Sequence, residues 1–161
     1  MGSPVQIIDQ HLLDALSLAA RKSPRLRKNH NLHVSYDDPC QRLLNAVEPG
    51  SYIRPHRHLE FAKPECFVLL RGRMTVLIFN DDGRIEQIVP LSVGAGCQGI
   101  DIPSGFWHSM VSLVPGSIFF ETKPGPYHPL SDKDFAPWAP AEGSPEAGDY
   151  LKALESAVRP R

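Results

Sequence analysis

From residue 43 to residue 122 the chain is a succession of short apolar runs, each closed by a turn signal. The run 43–47 stops at Pro49-Gly50 and 52–58 follows. Then 66–70 passes through Arg71-Gly72-Arg73 into 74–79, and Asn80-Asp81-Asp82-Gly83 marks a tight hairpin before 85–91. Runs at 100–102, 107–114 and 117–122 complete the series. Segments this short cannot be the helices of a bundle, and Gly and Pro at the joints interrupt any longer periodicity. The pattern dictates an all-β sandwich or barrel.

The flanks read differently. Residues 9–21 set Leu12, Leu13, Leu16 and Ala19 or Ala20 on one stripe, with Asp9 as N-cap and Ser23-Pro24 as the stop, so a short amphipathic helix is expected. A polar stretch, 25–33, joins it to the strands. After Lys123 come Pro124, Pro126, Pro129, Pro137, Pro140 and Pro145, a composition that excludes a central strand. This segment is expected to wrap the barrel or reach a neighbour, anchored by Tyr127, Phe135 and Trp138. A final helix is expected over about 145–158, with Tyr150, Leu151, Leu154 and Val158 aligned. The whole of 1–161 then forms one domain: helix and arm over 1–31, barrel core over 32–123, and Pro-rich arm with C-terminal helix over 124–161.

A net charge of −1 gives no electrostatic case for nucleic acid or an anionic membrane as partner. No apolar run approaches the roughly eighteen residues of a membrane span. The first residues lack a basic start followed by a long apolar stretch, so no secretory leader is expected. Cys40, Cys66 and Cys97 are odd in number and lack CxxC spacing, which argues against a disulfide framework and for a reducing, cytoplasmic setting. Cys66 and Cys97 read as small buried apolar residues.

Chemistry concentrates in two places. His56 and His58 stand at i and i+2, on one face of an extended segment; continuing that parity adds Tyr52 and Arg54. Glu65 opens the next apolar run, on a face with Phe67, Leu69 and Arg71, and His108 lies on a later one with Phe106, Met110 and Ser112. Three imidazoles and a carboxylate suit one divalent transition ion (Fe, Mn, Ni, Cu or Zn) rather than a thiolate-rich structural zinc site. Glu60 competes with Glu65 for the carboxylate position, because it shares the parity of His56 and His58. Arg54 reads either as a holder of an anionic substrate group or as a salt-bridged residue at the barrel mouth. Asn29, His30 and His33 read either as lining of a pocket or as solvated loop.

These residues resemble the cupin superfamily. Its first motif is met by Gly50, His56, His58, Glu65 and Gly72, with six residues between His58 and Glu65 where the family has three or four. The second is met by Pro103, Gly105 and His108, with Gly96 one position off and Ser112 in place of an Asn. Beyond the motifs the chain resembles the WbuC-type cupin metalloproteins found with bacterial surface-polysaccharide genes. That likeness rests on Ser23-Pro24-Arg25, Asn29-His30, the run 52–58, Gly125-Pro126-Tyr127 and Trp138-Ala139-Pro140.

The resemblance implies a double-stranded β-helix, the cupin jelly-roll barrel, and a metal held by His56, His58, Glu65 and His108. Tyr52, Arg54 and His30 are then candidates for binding substrate. Two functions follow as expectations. One is a small metal-dependent enzyme, with isomerase, epimerase or dioxygenase-like chemistry, acting on a carbohydrate-derived or anionic metabolite of O-antigen biosynthesis. The other is a non-catalytic sugar-binding or accessory metalloprotein of the same pathway. A homodimer is expected, since barrel edge strands need covering.

Overall fold

The computed structural model describes residues 4–59, 63–128 and 133–159. The chain begins with α1 (Gln10–Lys22), where the Asp9 carboxylate accepts the Leu12 N–H at 2.9 Å and so satisfies one of the helix's open donors. Ten strands follow: β1 (Arg27–Asn31), β2 (Cys40–Val47), β3 (His56–Arg57), β4 (Glu65–Arg71), β5 (Arg73–Phe79), β6 (Ile85–Ser92), β7 (Gly99–Ile102), β8 (Trp107–Ser112), β9 (Ser117–Pro124) and β10 (Asp134–Phe135). Helix α2 (Ala147–Val158) ends the described chain. The strands form two antiparallel five-stranded sheets, ordered β1-β2-β9-β4-β7 and β10-β3-β8-β5-β6, which face each other as a jelly-roll barrel. Among the described residues no helix is long and apolar enough to cross a membrane.

Burial explains why both sheets read as nearly continuous apolar runs. Between the sheets lies a core of Phe67, Leu69, Val76, Ile78, Met110 and Phe119. On the outer face of the first sheet, Leu13, Leu16 and Ala20 of α1 cover Leu44, Ala46 and Ile118. On the outer face of the second, the C-terminal arm and α2 bring Ala136, Ala139 and Leu154 against Leu77, Phe79, Trp107 and Val111. Leu77 and Ile118 are completely buried; burial of such a side chain stabilises the fold by about 1.5–3 kcal/mol. The turn from β4 to β5 depends on Gly72, whose φ of +80° lies in the left-handed region and whose Cβ, if present, would meet Ser117 Cα at 2.8 Å.

Several elements differ from what the sequence suggests. The polar stretch 25–33 contains a strand, β1, because Arg27, Asn29 and Asn31 face a polar cavity and supply no apolar alternation. Of the expected strand 52–58 only His56 and Arg57 pair, since Pro55 has no N–H to donate. The parity argument fails there: the Tyr52 ring packs with Ala147 and Leu151 of α2, and its hydroxyl donates to Pro140 O at 2.8 Å. In β4 the register shifts between Leu69 and Arg71, which turns Arg71 out of the barrel to donate to Gly116 O and Asp14. Cys97 is exposed and Cys66 half-buried, so neither is the buried apolar filler expected. The Pro-rich arm contributes only the two-residue edge strand β10, and its Trp138 packs on Phe79 and Trp107, as an anchor should.

Candidate metal centre

The pairing of strands brings the dispersed histidines together. His56 on β3 is directly opposite His108 on β8, and β8 lies beside β5 in the same sheet. Directly opposed residues share a face, so the two rings stand side by side with centroids 4.5 Å apart. His58 follows two residues along, where its carbonyl is held by the Gly105 N–H (3.0 Å) and the Ser104 hydroxyl (2.6 Å). The Pro103-Ser104-Gly105 turn thus fixes the exit of the His56–His58 segment as well as the entry to β8. Glu65 enters from the facing sheet at the start of β4.

One ligand atom from each of His56, His58, Glu65 and His108 lies within 4.8 Å of the others, and all four residues are buried. Glu65 Oε1 is 3.0 Å from His58 Nε2, and Glu65 Oε2 is 3.0 Å from His108 Nε2. Glu60, the competing carboxylate, lies outside the described residues.

The ring tautomers decide what this cluster is built for. His56 Nδ1 is 2.9 Å from Arg54 O, and His108 Nδ1 is 2.9 Å from Phe106 O. A carbonyl oxygen only accepts, so each Nδ1 carries its proton, and in a neutral ring Nε2 presents a lone pair towards the cluster. Burial, reinforced by Lys133, His108 and His58, pushes the His56 imidazole well below its usual pKa and keeps it neutral. His108 Nε2 is buried and, despite its nearness to Glu65, makes no well-directed hydrogen bond among the described residues. Lone pairs converging on a carboxylate repel one another unless a cation lies among them. The donor set, with the Nδ1–H of His56 and of His108 anchored on a backbone carbonyl, fits a divalent transition ion.

Glu65 is kept ionised for that role. Burial alone would raise its pKa, but the Lys123 ammonium opposes it and the carboxyl lies well below the usual range. Lys123 Nζ donates to Glu65 Oε1 at 2.9 Å and lies 3.2 Å from Glu121 Oε1; Asn45 Nδ2 donates to Glu121 Oε2 at 2.8 Å. Glu121 is the opposite case: burial pushes its carboxyl up, and Lys123 counters that only in part.

The cluster forms the floor of a cavity of about 770 Å³ between the sheets, where His56, Glu65 and His108 are exposed to its interior while His58 stands behind them. Arg54 lines this cavity, with its guanidinium donating to Ala136 O at 2.9 Å. Tyr52 does not line it. Neither does His30, which is opposite Leu44 on the α1 face of the sheet, whereas Asn29, Asn31 and Asn45 face the cavity. Sequence reasoning passed over Glu121, Lys123 and Lys133. The first two were within reach: with Phe119 they occupy alternate positions of β9, so an inward Phe119 carries them inward as well. Lys133, in the Pro-rich arm, had no periodicity to reveal it.

Comparison with solved structures bears out the cupin fold. The chain is similar to an oxalate oxidase in complex with the substrate analogue glycolate (TM-score 0.56, 13% identity, 86% of this chain and 69% of that one). It is similar to the capsular polysaccharide assembling protein CapF from Staphylococcus aureus (TM-score 0.54, 20% identity, 70% of this chain and 32% of that one). Procruciferin, an 11S globulin from Brassica napus, matches with a TM-score of 0.52 and 17% identity over 70% of this chain and 27% of that one. The chain therefore spans under a third of the length of the CapF and globulin chains. An oxidase and an 11S globulin on one fold show that the barrel does not decide the activity. No curated protein matches the chain. The model of one family, described as "Domain of unknown function (DUF6016)", matches residues 8–91, over half of the sequence, and the chain belongs to that family.

Proposed function

We propose that this protein is a metal-dependent enzyme of the WbuC type, acting on a polar, sugar-related small molecule in bacterial surface-polysaccharide (O-antigen) biosynthesis. The observation that carries the metal reading is the convergence of His56, His58, Glu65 and His108 at the floor of a polar cavity. A divalent ion bound there would supply Lewis acidity to a ligand oxygen.

The chain's own groups account for the rest. Lys123 holds Glu65 anionic and orients it. Asn29, Asn31 and Asn45 line the cavity with amides suited to hydroxyl groups, and the Tyr36 and Tyr127 rings, 5.1 Å apart, add aromatic surface. Glu121 faces the same space with its carboxyl raised by burial, which makes it a candidate to exchange a proton with a bound ligand. The polysaccharide setting is supported by the WbuC-like sequence strings and by the fold shared with CapF, whose name records capsular polysaccharide assembly.

A cytoplasmic location fits three free cysteines. A homodimer fits the exposed Val5, Ile7 and Ile8 of the N-terminal segment, and elution as a monomer in gel filtration would oppose it.

The test is turnover of a panel of sugar nucleotides and keto-sugars, followed by NMR, with metal-replete and chelated protein and with His56→Ala. Turnover that requires both the metal and His56, in a variant that stays folded, supports the enzyme. Metal-bound protein that binds members of the panel and converts none would favour the accessory role.

A further inference from the structure

We propose that Lys133, on the arm just before β10, is the anchor of an anion subsite beside the metal centre, taking a carboxylate or phosphate group carried by the small-molecule ligand. This deepens the preceding reading and rests on the cavity being the ligand site. Three carboxylates line the cavity, and each is already matched. Glu65 and Glu121 share Lys123, at 2.9 and 3.2 Å. Glu142 accepts from Arg25 and Arg27, both at 2.7 Å. The acidic neighbour of Lys133 in sequence, Asp134, is paired with Arg57 at 2.9 Å.

Lys133 lines the same cavity and has neither hydrogen bond nor ion pair among the described residues. It is near enough to the centre to help depress the His56 imidazole. Its own ammonium is disfavoured by burial first and then by Lys123, with Glu65 and Glu121 opposing. This half-buried cation has no ion-pair partner of its own among the described residues, where each cavity carboxylate is already paired with another cation. Arg54 adds to the positive excess of the lining. A neutral sugar would leave that excess uncompensated, whereas an anionic group on the ligand compensates it.

The experiment titrates inorganic phosphate, D-glucuronate and, as neutral control, glucose into metal-replete protein by calorimetry. Wild type, Lys133→Met and Lys133→Arg are compared, with metal content measured on each. The expected result is saturable binding of at least one anion, weakened at least tenfold in Lys133→Met, preserved within about threefold in Lys133→Arg, at unchanged metal content. Loss confined to phosphate assigns a phosphate ester, and loss confined to glucuronate a carboxylate. Anion binding equal in wild type and Lys133→Met overturns the proposal, because the anion then sits on the metal or elsewhere. Should Lys133→Met fold poorly, the Lys133 side-chain ¹³Cε resonance of the wild type, identified by its absence in Lys133→Arg, is followed instead. A shift on adding phosphate or glucuronate, and none with glucose, supports the subsite; no shift with either anion overturns it. Absence of metal from wild-type protein would refute the enzyme reading while leaving the Lys133 dependence measurable.

Discussion

Replacing Lys123 by Met keeps the length of the side chain and removes the charge between two buried carboxylates. Lys123, Glu65 and Glu121 are 8%, 2% and 9% exposed, so water cannot take over from the ammonium. At about 3 Å and an effective dielectric of about 20, each pair attracts by roughly 5 kcal/mol, offset by the cost of having dehydrated all three groups. Removal of the shared partner should leave a net loss of about 3–5 kcal/mol in chelated protein. The cost should depend on pH. Glu121 already ionises above its usual value in the fold, chiefly through burial, so its ionisation works against folding and stability falls as pH rises through the raised pKa. Without Lys123 that pKa rises further, so the penalty is larger at a pH above the raised pKa than at one below it, where protonation cancels the uncompensated charge. Urea unfolding of both proteins, followed by the fluorescence of Trp107 and Trp138, measures it. A cost below about 1 kcal/mol, or one equal at the two pH values, would refute the reasoning.

Glu142 fastens the C-terminal arm to β1; burial raises its carboxyl, but the hydrogen bonds from Arg25 and Arg27 prevail and bring it to about 2. A carboxyl depressed by folding stabilises above its unfolded pKa and loses that contribution as pH falls. Glu142→Gln should therefore cost about 1 kcal/mol at neutral pH, with the difference from wild type closing between about pH 4.5 and 2 and in high salt; a pH-independent cost would count against the ion pair. Gly72→Ala should destabilise by about 1–2 kcal/mol or more, from the left-handed backbone and the approach to Ser117, and an unchanged unfolding midpoint would contradict the turn assignment. Leu77→Ala, at a fully buried position among Phe79, Val111 and Leu154, should cost about 2–5 kcal/mol in the same assay, and a loss under about 1 kcal/mol would mean that the arm does not pack there as described.

The barrel was legible because its strands are short, apolar and punctuated. The Asp9 cap announced α1, and Asn80-Asp81-Asp82-Gly83 announced the β5–β6 turn, where the Asn80 side chain accepts the N–H groups of Asp82 and Arg84. The four clustered residues were legible because their order and spacing follow a known pattern. What escaped did so for physical reasons. β1 pairs through its backbone while Arg27, Asn29 and Asn31 face a polar cavity, so it carries no hydrophobic period. Tyr52 and Arg71 follow parity only as far as a regular strand continues, and Pro55 and the β4 bulge break it. His30 is in a cavity-lining strand, but on the face turned to α1. Lys133 takes its position from the arm's path across the barrel, which is tertiary and leaves no trace in local sequence.

The central claim is that four side chains distant in sequence share one divalent ion. Anomalous diffraction at the absorption edge of the element identified in the purified protein tests it most directly. The account predicts one peak per chain, bounded by His56, His58, Glu65 and His108, and its disappearance in His108→Ala with the barrel intact. A map without a peak among those four residues, or with its metal held elsewhere on the chain, would contradict it.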